Sequence, residues 1–123
     1  DCQNPRLWIF DNGEYGEAKY MNRNVVSLVA FALTEPNYPE IFRYEISKEK
    51  IKEPYSFGYF AVDVLDPNNK WCNDTFVYIT NYAENSLYVF DYKNKDYWTY
   101  SHDSFKPDGE TTFISPVGSS EKK

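Results

Sequence analysis

The residue types that carry most acid–base and nucleophilic chemistry are sparse in this chain. It contains one histidine, His102, and two cysteines, Cys2 and Cys72. A general base needs a tuned pKa inside a pocket, whereas His102 ends a run typical of an outer strand, so we expect it to serve a surface or packing role. No Ser-His-Asp or Cys-His arrangement, glycine-rich phosphate loop or metal-ligand spacing is present. The sequence therefore predicts no catalytic residue, no metal and no cofactor.

Aromatic side chains are the abundant functional groups instead. The 123 residues include 12 Tyr, 9 Phe and 3 Trp, which together make up 20% of the chain. Aromatic faces attract an ammonium group by cation–π interaction, and ligand pockets are commonly lined by aromatic side chains with a few polar groups. Aromatic and β-branched residues also fit packed β-sheets, so a structural role competes with a binding role at each of them.

Charge and hydropathy exclude several classes of protein. The net charge is −6, from 13 basic and 19 acidic residues, whereas a nucleic-acid interface needs a basic face. The acidic balance is compatible with a cationic ligand, although it also serves solubility alone. No apolar run reaches transmembrane length, and no leader pattern opens the chain at Asp1. We expect no nucleic-acid or membrane partner, and a chain that is cytosolic, already processed or cut from a longer protein.

Short apolar runs bounded by turn residues predict an all-β fold. Three of these runs, "LVAFAL", "TFVYI" and "LYVF", are apolar at every position, which predicts strands covered on both faces. By contrast "IFRYEI" and "DYWTYSH" alternate, as expected for strands with one face toward water. Asp11, Asp63 and Asp91 follow apolar strand residues and are interpreted as acceptors in turns. The predicted strands are Leu7–Asp11, Ser27–Leu33, Ile41–Ile46, Ser56–Val64, Thr75–Asn81, Ser86–Tyr92 and Asp96–His102.

An internal repeat indicates propeller blades. "SLVAFAL…PEIFRYEI" aligns with "SLYVFDY…KDYWTYSH" at an offset of roughly sixty residues, in the range of repeat arrays. In a blade, four antiparallel strands stack face to face with neighbouring sheets around a channel. The predicted organisation is a blade lacking its innermost strand in 1–49, a complete blade in 50–109 and the start of a third in 110–123. A small β-sandwich is the competing structure, but it would need clean alternation in most strands.

The innermost strand of the complete blade, 56–64, would line the channel. Phe57, Tyr59 and Phe60 on this strand are therefore the candidate ligand-binding residues. The alternative, that these rings pack between blades, is favoured by the frequency with which aromatic stripes form cores.

A glycosylation triplet and two cysteines indicate a secreted protein. Asn73-Asp74-Thr75 is an N-x-T acceptor, although such triplets also arise by chance. Cys2 and Cys72 could pair with each other. However, they lead into equivalent strands of successive blades, which we expect to lie too far apart for a disulfide. We expect each cysteine to pair outside 1–123, or Cys2 to be free.

Several segments resemble the insect yellow and major royal jelly protein family. They are Cys2–Gly13 "C…RLWIFDNG", "FAVDV" at 60–64, "CNDTFVYITN" at 72–81, "LYVFDYKNKDYW" at 87–98 and "HDSFKPD" at 102–108. "EPNYPEIFRYEI" at 35–46 and "KEPYSFGYFAVDV" at 52–64 are most similar to the salivary yellow-related proteins of blood-feeding sand flies. The resemblance covers essentially the whole chain.

This resemblance implies an internal piece of a six-bladed β-propeller, secreted into saliva and monomeric. It implies binding of biogenic amines such as serotonin, histamine and catecholamines, which counters host haemostasis and inflammation, with most polar contacts supplied by later blades. It also implies that Cys72 pairs with a cysteine of a later blade. In much of the family the partner of Cys2 lies near position 25, where this chain has Val25 and Val26. Two other roles stay open: dopachrome conversion by an enzyme, and a nutritional or structural secreted protein.

Overall fold

Antiparallel strands make up the regular structure of the chain. The computed structural model describes residues 2–16, 22–23, 25–47, 50–51, 56–109, 112–114 and 120–122. Its strands are β1 Arg6–Asp11, β2 Glu14–Tyr15, β3 Asn22–Arg23, β4 Val26–Ala32, β5 Glu40–Ile46, β6 Phe57–Val64, β7 Thr75–Asn81, β8 Ser86–Asp91, β9 Asp96–Ser101, β10 Thr112–Ile114 and β11 Ser120–Lys122. A single 3-10 turn, Asp103–Phe105, is the only helical element of three residues or more in the described ranges. The all-β prediction is confirmed.

The strands form two main sheets in chain order. The first sheet has the order β1-β4-β5 and the second the order β6-β7-β8-β9, and all their pairings are antiparallel. Two short hairpins, β2-β3 and β10-β11, accompany them. Sequential antiparallel sheets of this kind are the blades of a β-propeller, so the chain has the predicted fold, with three strands in one sheet and four in the next.

The turns follow the residues that favour them. At the end of β1, the Asp11 carboxylate accepts a hydrogen bond from the Gly13 amide at 2.9 Å, and Gly13 takes a φ of 72°. The turns after β7 and β8 each end on a residue in the left-handed region, Asn85 at 49° and Lys95 at 52°. Asn tolerates this conformation because its short polar side chain can bond locally, whereas Lys95 carries an ordinary steric cost there.

An aromatic layer joins the two sheets. Ala30 pairs with Trp8 on one side and Phe42 on the other, and its small side chain lets those two rings approach to 5.9 Å across it. Rings of the first sheet then meet rings of the second: Tyr44 lies 4.9 Å from Phe90, and Phe42 lies 5.6 Å from the same ring. Aromatic pairs contribute about 0.5–1.5 kcal/mol each beyond the burial of their area. The cluster therefore holds the sheets in a defined orientation.

Burial along the central strands agrees in part with the expectation of two covered faces. β4 is buried on both, since Leu28 is 1% and Val29 4% exposed. In β7, the face toward the first sheet is buried, as Val77 and Ile79 show, whereas Phe76 and Tyr78 on the other face are half-buried. Within the described residues, the central strand β7 thus has one buried face, and the prediction for "TFVYI" is met on that face alone.

Cys2 and Cys72 form a disulfide, which corrects the prediction that each pairs outside 1–123 or that Cys2 is free. Their Cα atoms are 6.0 Å apart, within the normal range for a disulfide. The prediction assumed that both cysteines lie at the starts of equivalent strands. Cys72 instead lies in the loop 65–74 between β6 and β7, and this loop reaches across to the segment before β1. The side-chain amide of Asn4, in that segment, donates to the carbonyl of Lys70 in the loop at 2.6 Å.

Removal of this disulfide is expected to destabilise the pair of sheets. The bond closes a sequence separation of 70 residues, and constraint of a long loop in the unfolded chain is worth about 2–4 kcal/mol. The double variant Cys2→Ser/Cys72→Ser of the full-length protein should lose stability of that order in urea unfolding. Without reductant, the tryptic peptides carrying Cys2 and Cys72 should remain joined. Separate peptides, or either one linked to a third, would contradict the bond.

Candidate functional site

The three predicted ligand-binding residues lie on β6 but do not converge. Phe57 is 9% exposed, and its ring packs edge-on against Phe10 at 5.3 Å and Tyr88 at 5.2 Å. Tyr59 is 83% exposed and Phe60 37%. Phe57 thus occupies the aromatic layer between the sheets, which is the packing alternative, whereas Tyr59 presents its ring to solvent.

A β-bulge separates these side chains. Phe57 pairs with Asn81 and Phe60 with Ile79, so β6 contains one residue more than β7 across this interval. In a regular strand Phe57 and Tyr59 would share a face, because side chains alternate with a period of two. The extra residue changes this, and Phe57 and Phe60 both face Phe10, at 5.3 and 6.4 Å. A bulge redirects a side chain in this way and is common near functional sites.

The bulge leaves Gly58 and Tyr59 opposite Thr80. The Thr80 hydroxyl donates to the carbonyl of Tyr59 at 3.1 Å, which holds the irregular backbone in place. β6 is the edge strand of its sheet, with β7 as its one partner in that sheet. Tyr59 is therefore a largely exposed aromatic side chain on an edge strand of the second sheet.

A cavity of about 650 Å³ opens between the sheets near the disulfide. Trp8, Phe60 and Asp63 contribute two aromatic faces and a carboxylate, and Arg6 contributes a guanidinium. The Arg6 guanidinium carbon lies 4.4 Å from the centre of the Tyr92 ring, and its side chain donates to the carbonyl of Trp71. An organic cation in this cavity would meet the guanidinium of Arg6 as well as the carboxylate of Asp63, so the aromatic lining alone does not make it an ammonium site.

A polar network lies at the opposite end of β6. Asn81 is 1% exposed, and its side-chain oxygen accepts from the amides of Ser56 at 3.1 Å and Ala83 at 3.2 Å. Its amide nitrogen donates to the Glu84 carboxylate at 3.0 Å, and the Tyr88 hydroxyl donates to the same carboxylate at 3.3 Å. Buried polar groups are stable only when bonded, and here the bonds tie the β7–β8 turn to the start of β6.

Two tyrosines beside this network resist ionisation. Burial raises the pKa of Tyr88 to about 12, and the negative charge of Glu84 and its hydrogen bond act in the same direction. Burial also raises the pKa of Tyr97, with smaller contributions from Tyr44 and Asp96. The two rings stack at 5.7 Å with 13° between their planes. Both phenols are therefore structural groups that remain protonated at neutral pH.

The other polar candidates have structural surroundings. His102 is exposed and precedes the 3-10 turn, where its Nδ1 accepts from the amide of Ser104 at 3.2 Å. Asp91 accepts from the amide of Asn94 at 3.1 Å, so it and Asp11 are turn acceptors as interpreted. Asp63 differs, because it lines the cavity between the sheets.

The glycosylation triplet lies at the end of the β6–β7 loop. Asn73 is exposed, whereas Thr75 is 1% exposed and donates its hydroxyl to the carbonyl of Cys72 at 2.5 Å. Among the described residues, no group of three or more His, Cys, Asp or Glu side chains could hold a metal ion. No helix in the described ranges has the length and apolar character needed to cross a membrane.

Sequence reasoning missed Tyr82, which follows β7 and is 55% exposed. Its amide donates to the carbonyl of Ser56 at 2.8 Å, and its ring covers Gly58 so closely that a side-chain carbon there would overlap it. Gly58 within an otherwise aromatic strand run was the available signal, because an isolated glycine in a strand indicates a bulge or a close approach.

Alkaline pH is expected to destabilise the protein through Tyr88. Its pKa is higher in the folded state, about 12, than the usual value near 10 in an unfolded chain. The stability that this raised pKa contributes to the folded state is thus fully present below about pH 10 and is lost as pH rises through 12. Between these values the melting temperature of the full-length protein should fall, and the fall should be smaller in Tyr88→Phe. The exposed Tyr38→Phe is the matched control; equal slopes in all three proteins would contradict the assignment.

Comparison with known proteins gives consistent matches over this chain. The family described as "Major royal jelly protein" matches residues 2–121. The yellow-related salivary protein SP04 of Phlebotomus argentipes is 50% identical over 117 residues, which cover 92% of this chain and 29% of that protein. SP03B of Phlebotomus perniciosus is 51% identical over 112 residues, covering 87% and 28%. LJM11 of Lutzomyia longipalpis is 41% identical over 117 residues, covering 92% and 29%. The chain thus spans less than a third of the length of these relatives.

Proposed function

The chain belongs to the major royal jelly protein family, and we propose that it forms part of a secreted salivary protein that sequesters biogenic amines such as serotonin, histamine and catecholamines. Salivary origin is supported by the names of the relatives, which are yellow-related salivary proteins of sand flies. The disulfide between Cys2 and Cys72 is typical of proteins that fold in an oxidising compartment.

The exposed ring of Tyr59 is the structural feature that best supports the binding proposal. It is 83% exposed on an edge strand, and in a propeller the innermost strand of each blade borders the channel. A tyrosine face attracts an ammonium by about 0.5–2 kcal/mol, depending on desolvation. A specific site also needs a few well-placed acceptors, which we propose come from parts of the protein beyond this chain.

Phe57 and Phe60 are weaker candidates than Tyr59. The ring of Phe57 is enclosed by Phe10 and Tyr88, so a ligand would have to displace it from the core. Phe60 lines the cavity that also contains Arg6 and Asp63, and its ring faces Phe10 of the first sheet, so less of it is open to a ligand than of Tyr59. Tyr59 is therefore the residue of this set to which we assign the amine contact.

Calorimetry with serotonin tests this assignment in the full-length protein. Tyr59→Ala should weaken binding about two- to thirtyfold, which corresponds to the loss of one cation–π contact, whereas Tyr59→Phe should retain most of the affinity. Tyr38 is 62% exposed in the loop after β4, and Tyr38→Ala is the matched control. No heat of binding in the unmodified protein would reject the function; equal affinity in Tyr59→Ala would reject the residue.

Asn73 is proposed to carry an N-linked glycan, because it is exposed within its N-x-T triplet. In the protein secreted from insect cells, Asn73→Gln should reduce the mass by one glycan and remove the sensitivity of that peptide to N-glycosidase. Thr75→Ser is the control, since it retains both the triplet and the hydroxyl that bonds Cys72. An unmodified Asn73 peptide in the secreted protein would contradict the proposal.

A further inference from the structure

The backbone conformation at position 58 does not require a glycine. The described glycines with positive φ are Gly13 and Gly16, so the backbone at Gly58 lies in a region open to any L-residue. A Cβ built at Gly58 instead meets the outer ring atoms and the hydroxyl of Tyr82 within overlap distance. A side chain at this position would therefore have to displace the ring of Tyr82 from where it lies.

Hydrogen bonds hold the backbone at Tyr82 on both sides of the residue. Its amide donates to the carbonyl of Ser56 at 2.8 Å, and the neighbouring Asn81 side chain bonds the amides of Ser56 and Ala83. These bonds fix the backbone of Tyr82 against the start of β6. The ring then lies on the glycine with 55% of the residue still exposed. One part of the Tyr82 ring thus contacts Gly58, and the rest of the ring is exposed to solvent.

Gly58 brings Tyr82 next to the bulge that contains Tyr59. Gly58 and Tyr59 lie opposite Thr80 across the bulge, and the ring of Tyr82, which follows the end of β7, covers Gly58. Gly58 is the neighbour of Tyr59 in the chain, so the bulge carries two partly exposed tyrosines. Two aromatic side chains at one site can contact both the ring and the ammonium of an aromatic amine.

We propose that Tyr82 is a second aromatic contact for the amine and that Gly58 is its positioning residue. The proposal rests on the proposed amine-binding function and adds two residues to it. The occupant is an aromatic amine, for which serotonin is the probe. The physical requirement is a ring that is already in place before the ligand arrives, because ordering a side chain on binding reduces affinity.

The test is a double-mutant cycle measured by calorimetry with serotonin on the full-length protein. Tyr82→Ala should weaken binding about two- to thirtyfold, and Tyr82→Phe should retain the ring and most of the affinity. Gly58→Ala should displace the ring and produce a loss comparable to that of Tyr82→Ala. Introducing Gly58→Ala into Tyr82→Ala should then cause no further loss, because the glycine acts through the tyrosine.

The outcomes separate this inference from the function on which it rests. If the unmodified protein does not bind serotonin, the amine-binding function fails, and the contact fails with it. If the protein binds but Tyr82→Ala does so with unchanged affinity, the function stands and the contact is overturned. Additive losses from Gly58→Ala and Tyr82→Ala would overturn the positioning role alone. If Gly58→Ala does not fold, the comparison of Tyr82→Ala with Tyr82→Phe still decides the contact.

Discussion

The aromatic layer between the two sheets is the interaction on which the rest of the structure depends. Ala30 is fully buried, and its small size lets Trp8 and Phe42 meet above it, so the first sheet offers a continuous aromatic surface. Phe90 fits against this surface from the second sheet. Because each sheet alone would expose these rings to water, the hydrophobic effect drives the sheets together, and the register of each sheet determines which rings meet.

The same layer determines what remains available for binding. It takes Phe57 into the core, and the bulge that follows turns Tyr59 away from it. A regular strand would have buried or exposed the two residues together. The cost is an irregular backbone, which the bond from Thr80 stabilises. The edge strand β6 therefore carries both a packed aromatic residue and an exposed one within a few positions, and the ring of Tyr82 covers Gly58 between them.

Polar interactions connect this edge to the rest of the molecule. Asn81 and Glu84 join the β7–β8 turn to β6 and to Tyr88, and the buried Asn81 side chain bonds the amides of Ser56 and Ala83 on either side of Tyr82. At the other end of the sheets, the disulfide and the loop 65–74 join the second sheet to the segment before β1. Arg6 adds a fixed positive charge near this end. Asp63 adds a carboxylate to the cavity that Arg6 also lines.

The amino-acid pattern by itself determined the all-β class, the order of the strands in the two main sheets and the ends of those strands to within one residue, because alternation and turn residues act over a few neighbouring positions. Thr75–Asn81, for example, was predicted with the bounds it has in the structure. Three features depended on tertiary structure: the pairing of Cys2 with Cys72, the separation of Phe57 from Tyr59, and the contact of Tyr82 with Gly58. Each requires segments distant in the chain to meet. A loop can cross between sheets without a local pattern that records it. An isolated glycine such as Gly58 indicates a bulge or a close approach, but it does not say which side chains the extra residue redirects.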